Sequence, residues 1–351
     1  MKLKVGILGA TGMVGQRFIQ LLNNHPWFEI TSIAASERSA GNKYKKVAKW
    51  YLAGEMPDKF AETVVVPIDT KIIDENNLDI VFSAIPSDIA GKVEAEFAQH
   101  IPVFSNTSTY RMTDDIPLLI PEVNPDHLNL IKIQQENRNW NGFIVTNPNC
   151  TTIGFAIPLK PLYDNFGVDY VNLTTMQALS GAGYDGVPSM AIIDNLIPFI
   201  KGEEEKVEIE CLKILGKLDA NGSKTNFADF TVFASCNRVP VMDGHTESVF
   251  VKLKKNFEID EVKEILNKFS SEPQGLNLPT APKQPIIVLD EDDRPQPRLD
   301  RDRGDGMSVT VGRIKKNGNV LKFTCVSHNT IRGAAGASVL DAELAYKKGF
   351  I

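Results

Sequence analysis

Cys150 stands in the run Asn147-Pro148-Asn149-Cys150-Thr151-Thr152. Before it, Phe143-Ile144-Val145-Thr146 reads as a buried strand, and after it residues 153–159 read as the first turns of a helix. A cysteine delivered by a strand to a helix start meets unpaired backbone N–H groups and the positive end of the helix dipole. That setting is expected to lower the thiol pKa and favour the nucleophilic thiolate. The same N–H groups would steady an oxyanion forming on an attacked carbonyl. The competing reading is a buried structural cysteine. A nucleophile also needs a proton partner, and the five histidines are scattered singles. His25, His100 and His127 fall in helix-end or loop settings. His245 follows Gly244 at a turn entering a strand, and His328 lies near a strand end, so these two are the candidates.

Residues 5–8 form a short apolar strand, followed at once by Gly9-Ala10-Thr11-Gly12-Met13-Val14-Gly15 and then by a helix pattern over 16–22. Strand, spaced glycines and helix make the setting of a dinucleotide loop. Glycines allow the tight turn and the close approach of backbone to a pyrophosphate, and N–H groups at Thr11, Gly12, Met13 and Val14 would face it. The next strand, 29–35, ends in Ser36-Glu37-Arg38-Ser39. Two hydroxyls and a guanidinium suit a ribose 2′-phosphate, which favours NADP, with NAD as the weaker alternative. Strands at 79–85 and 101–106 alternate with a helix pattern at 87–100. This order implies a parallel sheet flanked by helices, with ligands beyond the strand C-termini. Ser83, Asn106 and Cys150 would all lie at that edge.

The second half reads differently. Residues 170–177, 230–237, 247–253, 308–313 and 320–327 alternate as half-buried strands, the last two joined through Asn317-Gly318. They imply an antiparallel or mixed sheet in a separate α+β domain. Ser180-Gly181-Ala182-Gly183 is a loop that would let backbone approach a ligand. The pattern over 202–218 is a charged helix, expected to be a solvated face. Residues 272–297, rich in Pro and acidic groups, read as a surface excursion. The alternating charges of 298–305 have no assigned role. A small-residue helix over 333–348 is expected to return to the nucleotide domain. The expected division is therefore 1–149 plus 332–351 for the Rossmann-type domain and 150–331 for the catalytic and dimerisation domain.

Composition excludes other classes. Net charge is −6 over 351 residues, which offers no electrostatic case for nucleic acid or an anionic membrane. The four cysteines are widely spaced with no Cys-x-x-Cys pair, so no metal cluster is expected, and free thiols suit a reducing, cytoplasmic compartment. No signal-peptide pattern or membrane-spanning apolar run is visible.

Several motifs then fall in one order: the glycine loop, Pro121-Glu122-Val123-Asn124-Pro125, the Cys150 run, Gln177-Ala178-Leu179-Ser180-Gly181-Ala182-Gly183, Arg238-Val239-Pro240-Val241 with Gly244-His245, and Arg332-Gly333-Ala334-Ala335-Gly336. Together they resemble aspartate-β-semialdehyde dehydrogenases along the whole chain, most closely the archaeal and fungal branch, given Arg294-Pro295-Gln296-Pro297-Arg298. The resemblance implies NADPH-dependent, reversible reduction of β-aspartyl phosphate to the semialdehyde and phosphate, a step towards lysine, threonine and methionine. It makes Cys150 the nucleophile that forms a thioacyl-enzyme, His245 the acid/base and Gln177 the group orienting the acyl intermediate. It gives Arg238 the substrate α-carboxylate and Glu210 the α-ammonium, with Glu208 as a near alternative. Arg111, Lys213 and Asn149 would surround the phosphate. Gly9, Thr11, Gly12, Met13, Val14, Ser36, Arg38, Ser39, Ser83, Gly181, Gly183 and Asn329 would contact NADP. A homodimer or homotetramer is expected from the family. The rivals are malonyl-CoA reductase on the same scaffold, N-acetylglutamyl-phosphate reductase, and a non-catalytic NADP-binding regulatory protein.

Overall fold

The apolar run Leu3–Leu8 (β1) enters a sheet whose other strands are Phe28–Ala35 (β2), Val66–Pro67 (β3), Ile80–Ser83 (β4), Val103–Ser105 (β5) and Ile144–Thr146 (β6). The computed structural model, which describes residues 2–351, orders them β3-β2-β1-β4-β5-β6, all parallel. β4 and β5 are buried throughout, as strands covered on both faces must be. The order reverses beside β1, so a crevice opens at the C-terminal ends of β1 and β4. Helices Met13–Leu22, Ser87–Ala98 and Leu130–Arg138 link and cover the strands. The last helix, Gly336–Lys347, is buried from Gly336 to Ala345, which its small residues permit. Its Val339, Leu340 and Leu344 share one apolar cluster with Val5, Ile7 and Phe18.

The second sheet contains Val168–Gln177 (β7), Thr231–Arg238, His245–Leu253, Ile286–Val288, Val309–Asn317 and Val320–Ser327, and a separate two-stranded ladder joins Lys217–Leu218 (β8) to Thr225–Asn226 (β9). With the remaining strands numbered β10 to β14 in that order, the sheet runs β10-β7-β11-β14-β13-β12. It is mixed: β7 with β10 and β12 with β13 are parallel, the other pairs antiparallel. One face packs on helices Cys150–Phe166 and Ile259–Asn267 through Val171, Leu173, Val249, Val251 and Phe323. The other face shows Tyr170, Phe233 and Phe250 to solvent, with Phe233 and Phe250 flanking Asn172 in one row across three strands.

Three expectations change. The helix expected over 202–218 is Glu203–Ile214, and its tail turns into β8. That helix is not a solvated face: Glu203, Glu210 and Lys213 are buried, because their charges have partners inside. The excursion over 272–297 holds β12, which closes the sheet edge beside β13. Among the described residues no helix is long and apolar enough to cross a membrane, and no cluster of metal-ligand type occurs.

Candidate active site

Cys150 is the first residue of the helix Cys150–Phe166, reached from β6 through Asn147 and Pro148. Asn149 caps that helix, its Oδ1 accepting the N–H groups of Thr151 at 2.9 Å and Thr152 at 3.3 Å. Cys150 is partly exposed, whereas Cys211, Cys236 and Cys325 are buried, and all four are free thiols. Its Sγ lies 3.1 Å from Nε2 of His245, the buried first residue of β11. Gly244 precedes it at φ +96°, a left-handed conformation that favours glycine at the turn. His245 Nδ1 accepts the Ala178 N–H at 3.0 Å. A neutral ring accepting at Nδ1 carries its proton on Nε2, so His245 offers a donor to the sulfur. His328, the rival histidine, instead faces Asp302 at 3.7 Å.

Burial sets the resting protonation of the pair. It pushes the Cys150 thiol up to about 12, helped by the Glu203 carboxylate and opposed by Arg111, Arg238 and the Thr151 N–H. This departs from the expectation of a lowered thiol pKa: the helix start and the two arginines favour the thiolate, but burial of the sulfur outweighs them. Burial also lowers His245 to about 3, with Arg238 and His328 acting the same way. The pair rests as neutral thiol and neutral imidazole.

Arg238 ends β10 in register with Gln177 at the end of β7. Its Nη1 donates to the Ala178 carbonyl at 2.5 Å, and Gln177 Nε2 donates to Thr175 Oγ1 at 3.3 Å. Gly181 wedges against both key groups: a Cβ there would lie 2.8 Å from Arg238 Nη1 and 3.3 Å from His245 Cε1. On the opposite side, Arg111 Nη1 donates to Glu210 Oε1 at 3.0 Å, and the Asn149 N–H donates to Glu210 Oε2 at 2.6 Å. Lys213 Nζ donates to the carbonyls of Arg111, Thr113 and Ile116 at 2.7, 2.7 and 2.9 Å. With all three donors spent, it braces the Arg111 loop rather than presenting a free ammonium. Glu203, to which the sequence reading gave no role, accepts from Asn149 Nδ2 at 2.9 Å.

The nucleotide loop has the steric features that a dinucleotide requires. Gly9, at φ +84°, brings its Cα so close to β4 that a Cβ would meet the Ala84 carbonyl oxygen at 2.5 Å. Gly12 precedes helix Met13–Leu22 with no side-chain cap, which leaves the first N–H groups, those of Met13 and Val14 among them, without intrahelical partners. Two cavities flank the loop. One, about 480 Å³, is walled by Ser36, Glu37, Ile68, Ile89 and Lys92. The other, about 390 Å³, is lined by Met13, Arg17, Ser180, Gly183, Tyr184 and His328. Ser83 Oγ is buried without a partner at the strand edge. Asn329 is already engaged, accepting from the Gly244 N–H at 2.8 Å and donating to Ser180 Oγ at 2.8 Å. Arg38 and Ser39 lie beyond β2, with Arg38 exposed.

Comparison with known proteins follows this geometry. The family described as semialdehyde dehydrogenase, NAD binding domain, matches residues 4–131, and semialdehyde dehydrogenase, dimerisation domain, matches 159–332. The chain is 58% identical to aspartate-semialdehyde dehydrogenase of Archaeoglobus fulgidus, over 100% of both chains. The chain belongs to the aspartate-semialdehyde dehydrogenase family. The aspartate-semialdehyde dehydrogenase of Candida albicans, solved with NADP, matches at 43% identity and TM-score 0.91 over 100% of both chains. A malonyl-CoA reductase (NADP) of Metallosphaera sedula is 43% identical over 99% of this chain and 98% of its own. Membership of the aspartate-semialdehyde dehydrogenase family makes the chain an NADP-dependent oxidoreductase with a Rossmann-type and a mixed-sheet domain.

Sequence reasoning missed two further features of the site in this aspartate-semialdehyde dehydrogenase scaffold. The π-helical turn Ile331–Ala335 presses Gly333 so closely on Cys150 that a Cβ there would come 2.6 Å from the cysteine Cβ. Arg332 of that turn pairs with Glu122 in the interior. Both residues stood in quoted motifs, but nothing in their spacing joined them.

Proposed function

We propose that this chain reversibly reduces β-aspartyl phosphate to aspartate β-semialdehyde and phosphate with NADPH, through a thioacyl intermediate on Cys150. The observation that carries the reading is the Cys150 Sγ to His245 Nε2 contact of 3.1 Å at a capped helix start, in a member of this family. Cys150 Sγ attacks the acyl phosphate carbonyl, its proton leaves with the phosphate as the C–O bond breaks, and a thioester remains. NADPH, when bound, supplies hydride to the thioester carbon. The oxyanion then re-forms the carbonyl, the C–S bond breaks, and the aldehyde leaves. His245 Nε2–H hydrogen-bonds first to the sulfur and then to the oxyanion, and the thiolate released with the aldehyde regains its proton from solvent by way of Nε2, the acid half of its acid/base role. Taking the thiol proton would require the ring to release the Ala178 N–H.

In this reading Arg238 receives the α-carboxylate, Gln177 orients the acyl group, and Arg111 with Asn149 receives the phosphate. Glu210 receives the α-ammonium and pairs with Arg111, whose loop Lys213 braces. The glycine loop, Ser83, Gly181, Gly183 and Asn329 hold the dinucleotide, with Ser36, Arg38 and Ser39 at its 2′-phosphate. The domains would run 1–149 plus 332–351 and 150–331. The open face bearing Tyr170, Phe233 and Phe250 supports assembly into a homodimer, or a pair of dimers. Free cysteines fit a cytoplasmic setting. The test is NADP reduction by aspartate semialdehyde with and without phosphate, beside NADPH oxidation by malonyl-CoA. Phosphate-dependent turnover supports the proposal, and malonyl-CoA turnover alone would replace it.

A further inference from the structure

Residues 301–308 stand between two cavities. Arg301 and Asp302 line the 390 Å³ cavity beside the glycine loop. Gly304, Asp305, Met307 and Ser308 wall a second and larger one, about 680 Å³, whose other sides are the 279–284 segment and the end of helix Met13–Leu22. That volume falls among the roughly 300–1,000 Å³ of small-molecule sites, and the proposed reaction leaves it unused.

The shared wall has uncommon backbone. Gly304, Asp305 and Gly306 follow one another at φ +57°, +55° and +79°. Left-handed residues normally occur singly, so a run of three is a conformation imposed by its surroundings. A Cβ on Gly306 would lie 2.8 Å from Ile331 Cδ1, and one on Gly336 would lie 2.6 Å from Met307 Sδ. The Gly306 N–H is shared by the carbonyls of Asp302 at 3.2 Å and Arg303 at 3.1 Å, which ties the wall of one cavity to that of the other. Ile331 opens the π-helical turn that sets Gly333 on Cys150. A shift of residues 304–307 is therefore felt both on the cofactor side and beside the nucleophile.

The lining of the larger cavity sets what it can hold. His25 is engaged by Glu343 at 2.8 Å. The charged side chains that remain are Lys283 and Asp305, both exposed, and among the described residues neither side chain has an ion-pair or hydrogen-bond partner. One charge of each sign suits a neutral zwitterion rather than a phosphate, which calls for clustered cations. Leu21, Ile287 and Met307 add apolar surface. We propose that this cavity is a second ligand site, which takes a free α-amino acid with an apolar side chain and is coupled to the dinucleotide site through residues 301–308. Lys283 pairs with the carboxylate, Asp305 with the ammonium, and the tail lies on the apolar lining. A ligand held by Asp305 pulls on the left-handed turn. By linkage, the amino acid and NADP then change each other's affinity by one common factor.

The experiment is titration calorimetry on the intact protein with L-norleucine as the probe, beside hexanoate and pentylamine, which each carry one of its two charges. Norleucine should bind about fivefold or more tighter than either. Lys283→Gln should weaken norleucine and hexanoate, and Asp305→Asn should weaken norleucine and pentylamine. Asparagine accepts left-handed backbone as aspartate does, so the turn is kept. Saturating norleucine should shift the NADP dissociation constant about fivefold or more. Without norleucine, both variants should turn over aspartate semialdehyde as wild type does. No binding of norleucine, or wild-type binding in both variants (the mark of an amino acid seated elsewhere), overturns the site. An NADP dissociation constant that ignores bound norleucine overturns the coupling. These binding readouts stand whichever substrate the enzyme turns over, so their failure is distinct from failure of the proposed reaction.

Discussion

Glu122 and Arg332 form a two-pronged ion pair in which neither side chain is exposed, Nη1 donating to Oε1 at 2.8 Å and Nη2 to Oε2 at 2.5 Å. Arg332 belongs to the π-helical turn that carries Gly333 against Cys150, so the pair anchors the floor under the nucleophile. Asp341 adds a second buried carboxyl, which burial holds well above the usual carboxylate range. Removing one partner strands the other charge in the interior, at a cost of about 3–5 kcal/mol. Urea unfolding of Glu122→Gln should show a loss of that order. The double variant Glu122→Gln/Arg332→Met should lose less than the sum of the singles. Additive losses would mean that the two residues act separately.

Cys150→Ala should abolish turnover while NADPH binding, followed by fluorescence, stays near wild type. His245→Asn should lower kcat about 10²–10⁴-fold, the range for a positioned proton donor, with KM within a few-fold. Wild-type turnover in Cys150→Ala would remove the thioacyl route.

The resting protonation can be read by alkylation. With the thiol near 12, the reactive thiolate fraction grows as pH rises. Iodoacetamide labelling of the unliganded enzyme at Cys150 should therefore keep accelerating from pH 7 to about 10. A plateau with a midpoint near neutrality would show instead that a thiolate–imidazolium pair pre-exists.

Gly181→Ala places a methyl group 2.8 Å from the Arg238 guanidinium and 3.3 Å from the His245 ring. The guanidinium must shift, and kcat/KM should fall about tenfold or more, since small misplacements of positioning groups are costly. The melting temperature should hold, because the loop is outside all three apolar clusters.

Arg38→Ala should raise KM for NADP about 10–100-fold, the value of a charge-assisted bond to phosphate, and leave NAD kinetics nearly unchanged. Equal effects on both dinucleotides would take Arg38 away from the 2′-phosphate.

Asp300 is unexposed at the centre of the 294–303 loop, paired with Arg294 and with Arg303 and accepting the Gln296 N–H at 2.7 Å. Burial alone would raise its pKa, but these donors outweigh burial and hold it at about 2. A folded pKa below the unfolded one gives stability that is present above about pH 4 and lost as pH falls towards 2, of order 2 kcal/mol. Asp300→Asn should forfeit this at pH 7 and flatten the acid limb of unfolding, measured by circular dichroism.

The elements that deliver the chemistry were legible because their signals are local. The apolar run of β6, Cys150 and the helix that follows it sit within one continuous stretch, as do Gly244 and His245 at the head of β11. The period-two strands and the alternation of strand and helix likewise separated a parallel from a mixed sheet. What could not be read depends on partners far along the chain. Lys213 and Glu203 look like solvated charges because nothing nearby reveals the carbonyls and the amide they meet. Asp300 hides in a run of alternating charge for the same reason. The thiol pKa went the other way because the helix start is visible in sequence, whereas the dryness around it is a property of packing.

Gly333 supplies backbone that seals one side of Cys150, and it comes far later in the chain than the cysteine. During synthesis the cysteine emerges long before its lid of main chain does. A nascent or prematurely terminated product therefore carries the sulfur without its enclosure, catalytically idle and open to oxidants. Competence arrives only when the turn that carries Gly333 has been made and docks.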